Sequence, residues 1–213
     1  MSVHPAATTG RLLALGAATL GESGGRPMHP RIRAAWPGAR LAGPAYAVRC
    51  ATADNLAIHA AVVEAPPGSV LVVDASDPPE RGYWGEVLTT GAESRGLLGL
   101  VIDGGVRDVA ALEEHAFPVF SALIALRGAG KAQGGAIGGA VVAGDIEVST
   151  GDWVVGDHDG VVVIPAAVLD AVLEAGQARA EKESEMFTRL RSGATTVELL
   201  KLDTSSVSRG TKD

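Results

Sequence analysis

Cysteine is nearly missing from this chain. The single Cys50 excludes an intrachain disulfide and any cysteine-rich zinc site. It lies in an apolar run and reads as a small core residue rather than a nucleophile. Aromatic residues make up only 4%, so a core must be built from small aliphatic side chains. Positive charge is also short. Lys and Arg number 18 against 25 Asp and Glu, a net charge of −7, which argues against a basic nucleic-acid surface. No apolar run reaches the ~18 residues of a membrane span; the stretch 161–169 falls well short. Residues 1–9 have no basic start and no long apolar segment follows, so no secretory leader is read and a cytoplasmic protein is expected. The five histidines (His4, His29, His59, His115, His158) show no metal-ligand spacing such as H-E-x-x-H. His59 falls in a short helical stretch and reads as structural.

Glycine is what the chain has in excess, 28 of 213 residues, about twice the usual ~7%. Such a share implies many tight turns, or backbone that approaches something closely. The length suits one domain, 1–213, able to bury most of its apolar surface without staples.

Hydrophobic periodicity predicts a helix over 5–20, then a Gly/Pro-rich loop over 21–30. A strand over 39–51 is interrupted at Gly43-Pro44, and a short helix over 54–64 starts at Asp54 as N-cap. The all-apolar run 70–74 reads as a strand buried on both faces. A helix over 85–94 precedes a second buried strand, 97–103, which ends at Gly104-Gly105. A short helix (109–115), a short strand (118–120) and a glycine-rich loop (128–139) come next. Short strands are expected at 140–143, 145–148, 153–155 and 161–164. C-terminal helices follow over 165–190, with Pro165 in the first turn, and over 195–200. The tail after Leu202 reads as frayed. This order predicts a mixed-sheet α/β domain with helical outer layers.

Three look-alike motifs carry bland readings. Gly21-Glu22-Ser23-Gly24-Gly25 matches a nucleophile elbow, but the elbow needs a strand before the serine and a helix after it. Gly128-Ala129-Gly130-Lys131 resembles a phosphate loop yet lacks the following Ser/Thr; it reads as a flexible loop whose Lys131 could meet an anionic substrate. Asp157-His158-Asp159-Gly160 sits between apolar strands, as ordinary turn residues do.

Two segments carry coherent chemistry. Trp84 to Leu88 opens a helix, and Asp103 to Asp108 follows a buried strand, where ligands of α/β sheets bind. The amides of Gly85, Glu86, Val87 and Leu88 suit a carboxylate. Arg107 can grip a carboxylate or ketone oxygen with two donors. Asp108 can hold a Mg²⁺-type cation that keeps several waters. The plainer reading makes Asp108 an N-cap worth about 1 kcal/mol and Arg107 its surface partner.

Glu86, twenty residues, then Arg107-Asp108 resembles the acid-x20-Arg-Asp signature of class II 4-hydroxy-4-methyl-2-oxoglutarate aldolases in the RraA-like family. The stretches 54–59, 101–108 and 156–165 look like the same family. The resemblance implies an αββα sandwich related to swivelling β/β/α domains, and homotrimers or homohexamers with active sites between subunits. It implies a divalent-metal-dependent lyase that cleaves 4-hydroxy-4-methyl-2-oxoglutarate, or 4-carboxy-4-hydroxy-2-oxoadipate, to pyruvate and decarboxylates oxaloacetate. Magnesium is the expected metal, with manganese or cobalt as substitutes. By position, Gly85 to Leu88 would bind the pyruvyl carboxylate, Arg107 the substrate and Asp108 the metal. Glu86 stands where the signature has Asp; it reaches one methylene further and would meet the metal through water. In the last long helix, Val172, Gly176, Arg179, Glu183, Met186 and Leu190 form one stripe. Arg179 and Glu183 read plainly as an i,i+4 pair on a solvated helix; the resemblance implies instead that this face meets a neighbouring subunit and that Glu183 reaches its metal through water. The alternatives are a lyase for another 2-oxo acid and a non-catalytic ribonuclease-binding regulator. Family regulators of that kind lack the Arg-Asp acid, which favours an enzyme here.

Overall fold

The structure is a computed structural model describing residues 5–208 and 210. Residues 1–4 of the leader reading, His4 among them, and 209 and 211–213 of the tail lie outside the described residues. The elements are α1 (Pro5–Glu22), β1 (Arg26–Pro27), β2 (Arg33–Ala34), β3 (Leu41–Cys50), α2 (Leu56–Glu64), β4 (Val70–Asp74), β5 (Gly82–Trp84), α3 (Glu86–Ser94), β6 (Gly99–Val106), α4 (Val109–Glu114), β7 (Val119–Ile124), β8 (Gly135–Ile137), β9 (Ala140–Ala143), β10 (Ile146–Ser149), β11 (Trp153–Asp157), β12 (Gly160–Ile164), α5 (Leu169–Arg191) and α6 (Thr196–Leu200).

One sheet runs β1-β12-β11-β3-β4-β6-β7-β2, with β5 added to β6 and β8 to β3. Strand β3 is its corner. Residues 41–44 pair antiparallel with β11, and 45–49 pair parallel with β4. Pro44, which has no N–H to give, falls at the exchange of partners. The strand therefore runs unbroken through the expected interruption at Gly43-Pro44.

Period-two alternation sorts the side chains into layers. Val70 and Val72, Val101, Phe120, Val154, Val161 and Val163 face an inner core between the two halves of the curled sheet. Leu71, Val73, Leu100 and Ile102 face the opposite way, against Ile58, Val62, Leu88 and Leu112 of α2, α3 and α4. Val155, Val162 and Ile164 face Leu12 and Leu20 of α1 and Val172 and Leu173 of α5. The layers are helix, sheet, sheet, helix, the αββα sandwich that was expected. The β9–β10 hairpin covers the inner core with Val141, Ala143 and Val148. Both sheet edges, β1 and β2, are two residues long, and so short an edge resists pairing with another chain.

Several local expectations are corrected. Strand β6 does not end at Gly104-Gly105 but runs through both to Val106. A Cβ on Gly104 would lie 2.9 Å from the Ala75 Cβ, and one on Gly105 2.5 Å from the Arg81 carbonyl. These glycines serve close packing inside the sheet rather than a turn. Helix α1 breaks at Gly16 (φ 78°), where the Ala17 N–H donates to Asp157 Oδ2 at 2.7 Å. Asn55, not Asp54, is the N-cap residue of α2. A 3-10 turn over Ala166–Val168 precedes α5. The bland motif readings hold for two loops. Asp157 and Gly160 close the β11–β12 hairpin, and Ser23 Oγ donates to the Thr19 carbonyl at the end of α1.

Candidate active site

Strand β5 is three residues long and pairs parallel with β6, setting Gly82 against Gly105 and Trp84 against Val106. Both strands therefore end on the same side. The residues that follow them, Gly85-Glu86 and Arg107-Asp108, become neighbours, joined by an Arg107 N–H to Trp84 carbonyl bond of 2.9 Å. This short pairing turns a twenty-residue spacing into a contact.

Asp108 has a left-handed backbone (φ 58°, ψ 36°) and its side chain makes no cap to its own helix α4. Its Oδ2 instead accepts the Glu86 N–H at 3.1 Å, across at the start of α3, and lies 3.6 Å from Arg107 Nε. Asp108 thus stands at the N-cap position of α4, as the plainer reading has it, but its side chain does not cap that helix. Space for this crossing exists because residue 85 is glycine; a Cβ there would stand 2.3 Å from Asp108 Oδ2 and 3.2 Å from Arg107 Cγ. The Arg107 side chain lies over Gly82 and Gly85 with its head beside Gly128. Among the described residues its guanidinium has no protein partner other than Asp108.

These residues open onto a cavity of about 140 Å³. Its lining brings Gly85, Val87, Leu88, Arg107 and Asp108 together with Asn55, His59 and Lys131. The Val87 and Leu88 N–H groups have no protein acceptor among the described residues, so the first turn of α3 offers donors to an anion. Two buried polar atoms of the lining, Asn55 Oδ1 and His59 Nε2, also lack a partner among the described residues. The Asn55 amide is held by the Tyr83 carbonyl at 2.7 Å. Burial, and then Lys131, push the His59 pKa down against the opposing charge of Asp54, and the lowered pKa favours the neutral ring. Asn55 and His59 belong to a stretch that supported the family resemblance, yet hydrophobic pattern placed them only on a helix. An orphaned polar atom becomes visible only once the walls around it are in place.

The Glu86 carboxylate turns away from the cavity. It lies 3.8 Å from His115 Nε2, while His115 Nδ1 meets Glu93 at 2.8 Å. The hydrogen bond to Glu93 and the charges of Glu93 and Glu86 hold the His115 pKa above its usual value. A raised pKa contributes stability below the unfolded value and loses it as pH rises through the folded one. The Tm gap between wild type and His115→Ala should thus be widest near pH ~5.5 and close by pH ~9; thermal melts across that range check it.

Glu183 lies on α5, which packs on α1 rather than against the cavity wall. Its carboxylate pairs with Arg179 at 2.9 Å, and Arg179 also meets Glu22. The predicted stripe is present: Val172 and Gly176 are buried, and the other four are half-buried.

The family model described as RraA-like, Aldolase/RraA, matches residues 14–163. The chain belongs to the RraA-like family. The match ends within β12, leaving α5 and α6 outside it. A Halalkalibacterium halodurans protein named "Putative 4-hydroxy-4-methyl-2-oxoglutarate aldolase" is 36% identical over 135 residues, 63% of this chain and 64% of that protein. The chain thus spans just under two thirds of that relative. A Burkholderia multivorans protein of the same name is 33% identical over 138 residues, 65% of this chain and 84% of its own. Among solved structures, an uncharacterized Pseudomonas syringae protein superposes with a TM-score of 0.81 at 27% identity, covering 92% of this chain and 96% of that one. Streptomyces coelicolor RraAS2, described as an unusual member of the RNase ES inhibitor RraA protein family, gives 0.73 at 28% identity, covering 87% and 98%. No helix among the described residues is long and apolar enough to cross a membrane.

Proposed function

We propose that this RraA-like chain is a divalent-metal-dependent carbon–carbon lyase. Its substrate is a 2-oxo acid of the 4-hydroxy-4-methyl-2-oxoglutarate or 4-carboxy-4-hydroxy-2-oxoadipate type, cleaved by retro-aldol reaction to pyruvate, with oxaloacetate decarboxylated in the same site. The observation that carries this reading is the Asp108 backbone. A non-glycine residue in the left-handed region is uncommon, and this one turns its carboxylate from its own helix to the cavity beside Arg107. The aldolase names of two relatives support it.

The residues fit a magnesium-type cation. Asp108 is 41% exposed, and its Oδ1 has no protein partner among the described residues. A single carboxylate with one free oxygen suits a metal that keeps most of its waters. When bound, the cation would supply electrophilic stabilisation of a pyruvate enolate. The Val87 and Leu88 N–H groups hold the pyruvyl carboxylate. Arg107 binds the adjoining oxygens through paired donors. Lys131, an exposed residue of the lining, meets the distal carboxylate. His59 Nε2 accepts a hydrogen bond from the C4 hydroxyl, whose proton must leave as the C3–C4 bond breaks. Glu86 contributes its N–H, which fixes Asp108, and its carboxylate joins the site only on leaving His115. The far end of the α5 stripe, where Glu183, Met186 and Leu190 are only half-buried, meets a neighbouring subunit in a homotrimer or homohexamer, and Glu183 there approaches the neighbour's cavity.

The test is pyruvate release from oxaloacetate and from 4-hydroxy-4-methyl-2-oxoglutarate, coupled to lactate dehydrogenase, with Mg²⁺ and with EDTA. Turnover above the metal-only background, lost in EDTA, is expected. No turnover with either substrate, together with retention of a large ribonuclease in a pull-down, sinks the lyase and favours the regulator reading that the likeness to RraAS2 suggests.

A further inference from the structure

Asp54 is completely buried and forms no ion pair among the described residues. A buried carboxylate is costly unless it is well hydrogen-bonded. Here Oδ1 accepts the Leu56 N–H at 2.9 Å, as the first turn of α2 requires. Oδ2 accepts two more, from Ala132 at 2.6 Å and Gln133 at 3.1 Å. Burial pushes the Asp54 pKa up, but these three donors, with the charge of Lys131 added, outweigh it and hold it below the usual value. A serine could make that local bond to the Leu56 N–H; the additional two bonds reach a loop 78 and 79 residues away.

The neighbours of Asp54 grip the same loop. Gly130 donates its N–H to the Ala53 carbonyl at 2.8 Å, and its carbonyl accepts the Asn55 N–H at 2.9 Å. Ala53 is held at φ 57° in doing so. Gly130 itself packs on the carboxylate, and a Cβ there would lie 2.9 Å from Asp54 Oδ2. Lys131 is thus flanked on both sides by residues tied to 53–55. A loop this rich in glycine has much freedom to lose, so a fixed lysine needs an outside anchor.

We infer that Asp54 is a positioning residue whose carboxylate fixes Lys131 over the cavity and so gives the site its preference for 2-oxo acids with a second carboxylate. This rests on the function proposed above. The experiment measures binding, not turnover: calorimetric Kd in magnesium buffer for 2-oxoglutarate (two carboxylates) and for pyruvate (one). Wild type should favour 2-oxoglutarate. Asp54→Asn should erase about tenfold of that preference while pyruvate affinity stays within about twofold. Lys131→Ala should lose the same preference, and the double variant should lose no more. Should Asp54→Asn fail to fold, Gly130→Ala loosens the same contact from the loop side. Loss of preference in Lys131→Ala but not in a folded Asp54→Asn or Gly130→Ala overturns the inference. So does an equal weakening of both ligands, which marks a structural role only. If wild type binds neither acid, the 2-oxo acid reading fails. Amide hydrogen exchange of 130–133 then decides the anchor: faster exchange in Asp54→Asn retains it, unchanged exchange removes it.

Discussion

Asp108→Asn should lower oxaloacetate turnover by ~10³-fold or more while leaving the fold intact, a loss of about 4 kcal/mol at the transition state. The substitution is close to isosteric. Asparagine tolerates the left-handed backbone as well as aspartate does, and its carbonyl oxygen can still accept the Glu86 N–H that Asp108 Oδ2 accepts now. What disappears is the negative charge in a cavity whose other polar walls include Arg107 and Lys131. A residue acting as a helix cap would survive the change, since Asn caps as well as Asp. Calorimetry with Mg²⁺ alone gives a second readout, and weaker binding is expected. Turnover unchanged within about threefold, in a variant with a wild-type melt, would remove Asp108 from the chemistry.

The sequence made the layers legible because its strands alternate or are wholly apolar. Val70–Asp74 was bounded as observed, and the α5 stripe fell on buried and half-buried positions. Arg107 and Asp108 were legible as chemistry from residue type and spacing. The three-residue strand β5 was not, since Gly-Tyr-Trp is too short for periodicity to register. Yet β5 is what sets Gly85 beside Asp108. The anchoring of Lys131, though not the residue itself, was hidden for a different reason: glycine around it signals flexibility, and the bonds from residues 53–55 that restrain its loop come from distant sequence. Asn55 and His59 were hidden because burial without a partner is a property of three-dimensional surroundings. Local pattern thus found the side chains that look reactive, while the residues that hold or complete the cavity emerged only with the fold.

Gly85→Ala tests that geometry from the backbone side. Gly85 is extended, at φ −168°, so alanine is compatible with its backbone and the cost is one of space alone. The new methyl would stand 2.3 Å from Asp108 Oδ2 and 3.2 Å from Arg107 Cγ. Asp108 must then leave the Glu86 N–H, and Arg107 must shift with it. A displacement of about 1 Å in a positioned group costs on the order of 10²-fold in rate. Overpacking of this kind lowers stability by about 1–3 kcal/mol, so the variant should stay folded at assay temperature. Gly128→Ala is the matched comparison, because its methyl meets only the Arg107 guanidinium, at 3.6 Å, an ordinary contact; its rate should stay within about fivefold of wild type. Combining Gly85→Ala with Asp108→Asn should cost less than the sum of the two losses, since both act through residue 108 and only the Arg107 shift is separate. Full additivity of the two losses would mean that Gly85 serves something other than Asp108, and the crossing from β6 to α3 would lose its place in the site.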